Sequence, residues 1–204
     1  MIHDLTLRWV VTGLFALSAA ECVVAIAIKR RPWTYVISHG LHFVMAVAMA
    51  AMAWPRGAQL SPRGPAVFFL LATVWFMTIG VVAARRTGLR ASYGYHGLMM
   101  LATAWMYAIM DRQLLPVGRS TAMSMPGMDM AVLNMPASSG APLWFGAVNW
   151  VGALSFAVAA VFWTRKYFTE RQRVGSKSGS VAILAQTTMA GGTAILFAAT
   201  LFRI

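Results

Sequence analysis

Residues 8–28 read RWVVTGLFALSAAECVVAIAI and stop abruptly at KRRP, 29–32. A helix needs about 20 residues to cross a ~30 Å hydrocarbon core. This run supplies them with a single carboxylate, Glu21, and one arginine at its first position. Its apolar centre and small residues also suit a secretory signal. The run continues unbroken to Ile28, however, the basic cluster after it has the form of a stop-transfer end, and Glu21 directly before Cys22 spoils a lipoprotein-type cleavage site. The segment is therefore read as a retained membrane helix.

Working outward, five more runs of the same kind follow, at roughly 34–54, 65–84, 92–110, 143–164 and 181–202. The chain of 204 residues is 59% hydrophobic and 11% charged, against about 25% charged in soluble domains. Its mean hydropathy is +0.67. Backbone groups in lipid must bond internally, and these runs alternate too poorly for barrel strands, so the reading is an all-α, polytopic helical bundle. About six transmembrane helices use nearly the whole chain, leaving one membrane domain over 1–204, with an outer loop over 111–142.

The net charge of +12 matters through its distribution. With the N-terminus outside, one set of connections carries Lys29, Arg30, Arg31, Arg85, Arg86, Arg90, Arg165, Lys166, Arg171, Arg173 and Lys177; the other carries Arg8, Arg56, Arg63, Arg112, Arg119 and Arg203. The richer set should be cytoplasmic, which puts both termini outside the plasma membrane. These clusters then mark topology and contacts to anionic lipid headgroups, not nucleic acid. Trp33, Trp54, Trp144 and Trp163 fall near helix ends, as interfacial tryptophans do. One cysteine excludes an internal disulfide. Enzyme action is not expected: there is no phosphate-cradling glycine loop, nucleophile elbow, carboxylate pair or thiol motif.

Helices 2 and 4 carry a shared pattern. HFVMAVAMAAM begins at His42 and HGLMMLATAWM at His96. His42, Met45, Met49 and Met52 lie on one helical face, as do His96, Met99, Met106 and Met110, with Thr103 where the first stripe has Met49. Both helices run outward from the cytoplasm, so the histidines sit at the inner end. His39 shares the face of His42, and Glu21 is the only carboxylate in the interior of a predicted span, about 12 Å along the helix from Lys29. Ionisable groups in the bilayer are costly and call for partners. Glu21, His39, His42 and His96 can therefore converge at one level in the inner half of the bundle.

Imidazole, carboxylate and thioether together make a metal site, and thioethers favour Cu(I). The outer loop adds Met123, Met125, Met128, Met130 and Met135 as M-x-M-x2-M-x-M-x4-M in a stretch containing Pro, Gly and Ser. It resembles the methionine-rich segments of bacterial extracytoplasmic copper proteins. The segments HGLHFVMAVAMAAMAWP and YHGLMMLATAWMYAIM resemble an uncharacterised group of small multi-pass actinobacterial membrane proteins, catalogued as a domain of unknown function. That resemblance implies an inner-membrane location and no established activity.

Three readings follow from these residues. In the first, the loop collects copper, the stripes of helices 2 and 4 offer a thioether path, and Glu21, His42 and His96 form an inner site for transport, delivery or sensing. In the second, the stripes are packing seams of a non-catalytic subunit or scaffold, in contact with a membrane-protein partner or a second copy; surrounding small residues, as in AVAMAAMA, allow close helix approach. In the third, His42 and His96 are axial ligands of a haem. Cys22 is expected in the core.

Overall fold

The computed structural model describes residues 4–27, 33–55, 57, 61–82, 87–111, 143–173 and 177–202. The described residues form six helices and no strand: α1 Leu5–Ala27, α2 Trp33–Met52, α3 Arg63–Val82, α4 Thr87–Met110, α5 Leu143–Arg173 and α6 Lys177–Phe202. The helix starts and stops have local causes. Asp4 caps α1, its Oδ1 accepting from the Thr6 amide at 2.7 Å and the Leu7 amide at 3.4 Å. At its end α2 tightens, with Ala53 and Trp54 amides donating three residues back to Ala50 and Ala51, and it stops before Pro55, which disfavours helix in the residue preceding it. Pro65 sits in the first turn of α3, where its missing N–H costs nothing.

Among the described residues, five helical segments are long and apolar enough to cross a membrane: Leu5–Ala27, Trp33–Met52, Arg63–Val82, Trp144–Thr169 and Ile183–Phe202. Their outward faces are apolar as well, with Leu17, Leu71, Val81, Val151 and Val158 all exposed. A helix apolar on both faces is built for lipid on one and protein on the other. The chain is thus a helical membrane bundle. The remaining helix, α4, has 24 residues, about 36 Å of helix. Its first third, RASYGYH at 90–96, lowers its hydropathy.

Packing runs in series. α5 packs on α6, α6 on α1, α1 on α2, and α3 on α4, while α2 and α4 approach one another much less closely along their backbones. That α2–α4 seam is filled by long side chains. Met45, Met49, Met99, Met100 and Met106 are buried there in one apolar core with Phe15, Phe69 and Phe76. α5 reaches α4 through polar and aromatic side chains, the Trp105 indole donating to Asn149 Oδ1 at 3.2 Å and Tyr95 lying against Trp163. At the other end of the bundle from the polar run of α4, Arg63 at the start of α3 donates to Asp111 Oδ2 at 2.8 Å, tying α3 to the end of α4.

A histidine-lined cavity between five helices

A cavity of about 300 Å³ opens where α1 ends and α2, α4 and α6 begin. The last turns of α1 contribute Ser18, Glu21 and Cys22; the first turns of α2 contribute Thr34, Tyr35, Ser38, His39 and His42. Ser92, Tyr93 and His96 come from α4, Gln186 and Met189 from α6, and Phe76 from α3. The polar start of α4 is therefore the cavity's α4 wall, which explains why this helix is less apolar than its neighbours. The connecting segments at this end are those carrying Lys29, Arg30, Arg31, Arg85 and Arg86 in the sequence.

All four ionisable residues expected to meet, Glu21, His39, His42 and His96, line this one cavity. Two of them touch. His42 Nε2 lies 2.8 Å from His96 Nδ1, with the rings nearly perpendicular at an interplanar angle of 83°. Phe76 packs edge-on against His42, 5.4 Å between centroids. The outer nitrogens are also engaged: His42 Nδ1 lies 2.6 Å from the Ser38 carbonyl, and His96 Nε2 is 3.5 Å from Ser92 Oγ. His39 repeats the pattern one turn earlier, its Nδ1 3.1 Å from the Tyr35 carbonyl, with its ring stacked on Tyr35.

The network assigns the tautomers. A carbonyl can only accept, so His42 Nδ1 carries the hydrogen and donates to Ser38, leaving a lone pair on Nε2. His96 must then donate from Nδ1 into that lone pair, and its own Nε2 becomes an acceptor for the Ser92 hydroxyl. His42 is 6% exposed, so water does not compete for these bonds. Imidazole nitrogens that ligate metals are commonly oriented in just this way, with the far nitrogen donating to a backbone carbonyl.

The methionine stripes are placed differently from the histidines. Met45, Met49, Met99 and Met106 are buried in the apolar core of the α2–α4 seam, and none of them lines the cavity. Met123, Met125, Met128 and Met130, with Met135, fall outside the described residues. Among the described residues, no three of the His, Cys, Asp and Glu side chains come close enough to share an ion. Cys22 is buried, as expected of a core residue, and it also lines the cavity.

The cavity also contains residues that the apolar runs concealed. Ser18 Oγ and Gln186 Oε1 are buried in its α1–α6 wall with no hydrogen-bond partner. Gln186 is an amide inside the apolar span at 181–202, and that anomaly was the available signal. Met189, three residues on, shares its helical face. Glu21 and Ala185 line both the cavity and a lipid-side groove with Leu17, Val24 and Leu184.

A family model described as a domain of unknown function, DUF5134, matches residues 34–200. Over 210 aligned residues that cover 100% of both chains, this sequence is 59% identical to Uncharacterized protein Mb0995 of Mycobacterium bovis. The same identity and coverage hold for Uncharacterized protein MT0998 and Uncharacterized protein Rv0970, both of Mycobacterium tuberculosis. No solved structure matches.

Proposed function

The chain belongs to the DUF5134 family, whose description carries no activity, and from the chemistry of its cavity we propose that it is a copper-binding protein of the plasma membrane, with the His42–His96 pair as its intramembrane site. One observation carries this reading. Two imidazole nitrogens from different helices, His42 Nε2 and His96 Nδ1, face each other at 2.8 Å, and each ring is steadied from behind, by the Ser38 carbonyl and by Ser92. Metal–nitrogen bonds of about 2.0 Å would place the two nitrogens about 4 Å apart with an ion between them, so the rings need to part by only about 1 Å. Binding through His96 Nδ1 requires its hydrogen to move to Nε2, where the Ser92 hydroxyl can accept it. Ring neutrality is thereby kept.

Two neutral imidazoles fall short of the four ligands Zn(II) takes in structural sites, and a thioether-rich chain favours the softer Cu(I). Glu21 on the cavity wall supplies a counter-charge for a cation held away from water. The methionine-rich segment after α4 is the collecting element in this reading. The burial of the α2 and α4 methionines supports a packing role for the stripes themselves, which adopts that part of the scaffold alternative without needing a partner protein. Direct contact between the two rings, with Phe76 against His42, leaves no slot for a porphyrin, so copper is preferred to haem.

Anaerobic titration of the detergent-purified protein against a chromophoric Cu(I) chelator tests the proposal. At least one equivalent should be withheld from the chelator, with loss of one equivalent in His42→Ala and in His96→Ala. Replacing Met123, Met125, Met128 and Met130 together by Leu should remove a separate, weaker class of sites. A wild-type protein that yields all its copper to the chelator removes the copper reading altogether.

A further inference from the structure

The His42–His96 pair presents two nitrogens, and no further His, Cys, Asp or Glu completes a three-residue ligand group with it among the described residues. Thioethers fall outside that set, and the cavity contains one: Met189, on α6, is 1% exposed and lines the same space as both histidines. We infer that Met189 is the third ligand of the intramembrane site and the residue that makes it selective for cuprous over divalent ions. The inference rests on the copper reading and names a ligand for that site.

Three features of the α1–α6 wall favour Met189 over its neighbours. First, a thioether binds as it stands, whereas the Cys22 thiol would have to lose a proton before it could ligate. Second, Ser18 Oγ, on a fully buried residue, and Gln186 Oε1 have no partner in the wall that Met189 shares. Buried polar atoms are almost always satisfied, so this wall is shaped for contents beyond the protein's own side chains. Third, Met189 lines the cavity from a helix that supplies neither histidine: α2 and α4 give nitrogen, α6 gives sulfur. The methionines of the stripes, by contrast, are in the core and do not line the cavity. Soft thioether sulfur discriminates in favour of Cu(I), while imidazole is a ligand for zinc as well as for copper.

The test is made in the full-length protein with Met123, Met125, Met128, Met130 and Met135 changed to Leu, so that bound sulfur reports the inner site. Met189→Leu keeps the volume and should leave the fold intact; Met45→Leu is the matched core control. Cu(I) affinity is read by chelator competition, Zn(II) affinity by a zinc chromophore, and the ligand shell of bound copper by X-ray absorption. Met189→Leu should weaken Cu(I) by about tenfold or more, the scale on which even outer partners of metal ligands act. It should also remove the sulfur shell and leave Zn(II) affinity unchanged, while Met45→Leu does none of these. Unchanged Cu(I) affinity in Met189→Leu, or an equal loss in Met45→Leu, overturns the assignment of Met189 and leaves the histidine site standing. No Cu(I) binding by the loop-substituted parent overturns the inner site and, with it, this ligand.

Discussion

His42 is held from two directions, by a carbonyl four residues back on its own helix and by His96 across the α2–α4 seam. The first bond fixes the ring against the helix; the second is one of the few polar links between two helices whose backbones stand apart. Tyr107, its hydroxyl 3.5 Å from the Ala48 carbonyl, forms another farther along the seam. Side-chain hydrogen bonds inside membrane proteins average ~0.6 kcal/mol and reach ~1.7 in measured cycles. A cycle of His42→Ala, His96→Ala and the double variant, followed by unfolding in micelles, should give a coupling in that range. Coupling indistinguishable from zero would remove the bond. Nitrogen NMR of labelled histidine provides a second check: His42 should carry its hydrogen on Nδ1 and His96 on Nδ1 without metal, and His96 should switch to Nε2 on binding Cu(I). The residues of this pair were legible in the sequence, because a histidine in an apolar run is an anomaly with few explanations. Their direct contact was not legible, since nothing in two separate runs specifies which rotamers face each other.

At the scale of single helices, α6 shows how closely the packing is set. Gly191 and Gly192 are adjacent, yet a Cβ at Gly191 meets nothing within 4 Å, whereas one at Gly192 falls 2.8 Å from Phe15 Cζ. Phe15 is fully buried, so its ring has no free volume to swing into. Gly191→Ala should stabilise by ~0.5–1 kcal/mol by removing helix-interior glycine, and Gly192→Ala should cost ~1–3 kcal/mol by overpacking the α1–α6 contact. Thermal unfolding in micelles separates the two; equal effects would contradict the contact. The helices themselves were largely legible. Runs at 8–28, 34–54 and 65–84 correspond to Leu5–Ala27, Trp33–Met52 and Arg63–Val82. The main differences are at polar ends. α5 continues from the predicted end at 164 to Arg173, about 46 Å in all, because TRKYFTERQR has no Gly or Pro to end it and helix does not stop where hydropathy does. α4 starts at Thr87, not 92, its polar first turns extending the helix beyond the apolar run. The α1–α6 contact, with its glycine notch against Phe15, also lay beyond any reading of separate runs.

For the whole molecule, the cavity gains its meaning from the side of the membrane it faces. The segments beside it hold eleven of the 17 Lys and Arg residues, and each basic side chain near an anionic leaflet is favoured by about 1 kcal/mol. By the positive-inside rule, that asymmetry predicts the cavity on the cytoplasmic half and the methionine-rich segment outside. Single cysteines introduced in a Cys22→Ala background test this with a membrane-impermeant maleimide. Ser124→Cys and Ser176→Cys flank α5 alone, so they must report opposite sides; Ser124→Cys should label in intact cells and Ser176→Cys only after permeabilisation. Ser61→Cys adds the test that α4 itself crosses. Ser61 precedes α3 and Ser124 follows α4, so two crossings return the chain to the same side, and both positions should label from outside. Labelling of Ser124→Cys but not Ser61→Cys in intact cells would mean that α4 does not cross, and the polar start of α4 would then be an interfacial wall. Labelling of Ser176→Cys alone would invert the bundle, opening the His42–His96 cavity outward and making it the entry point for metal.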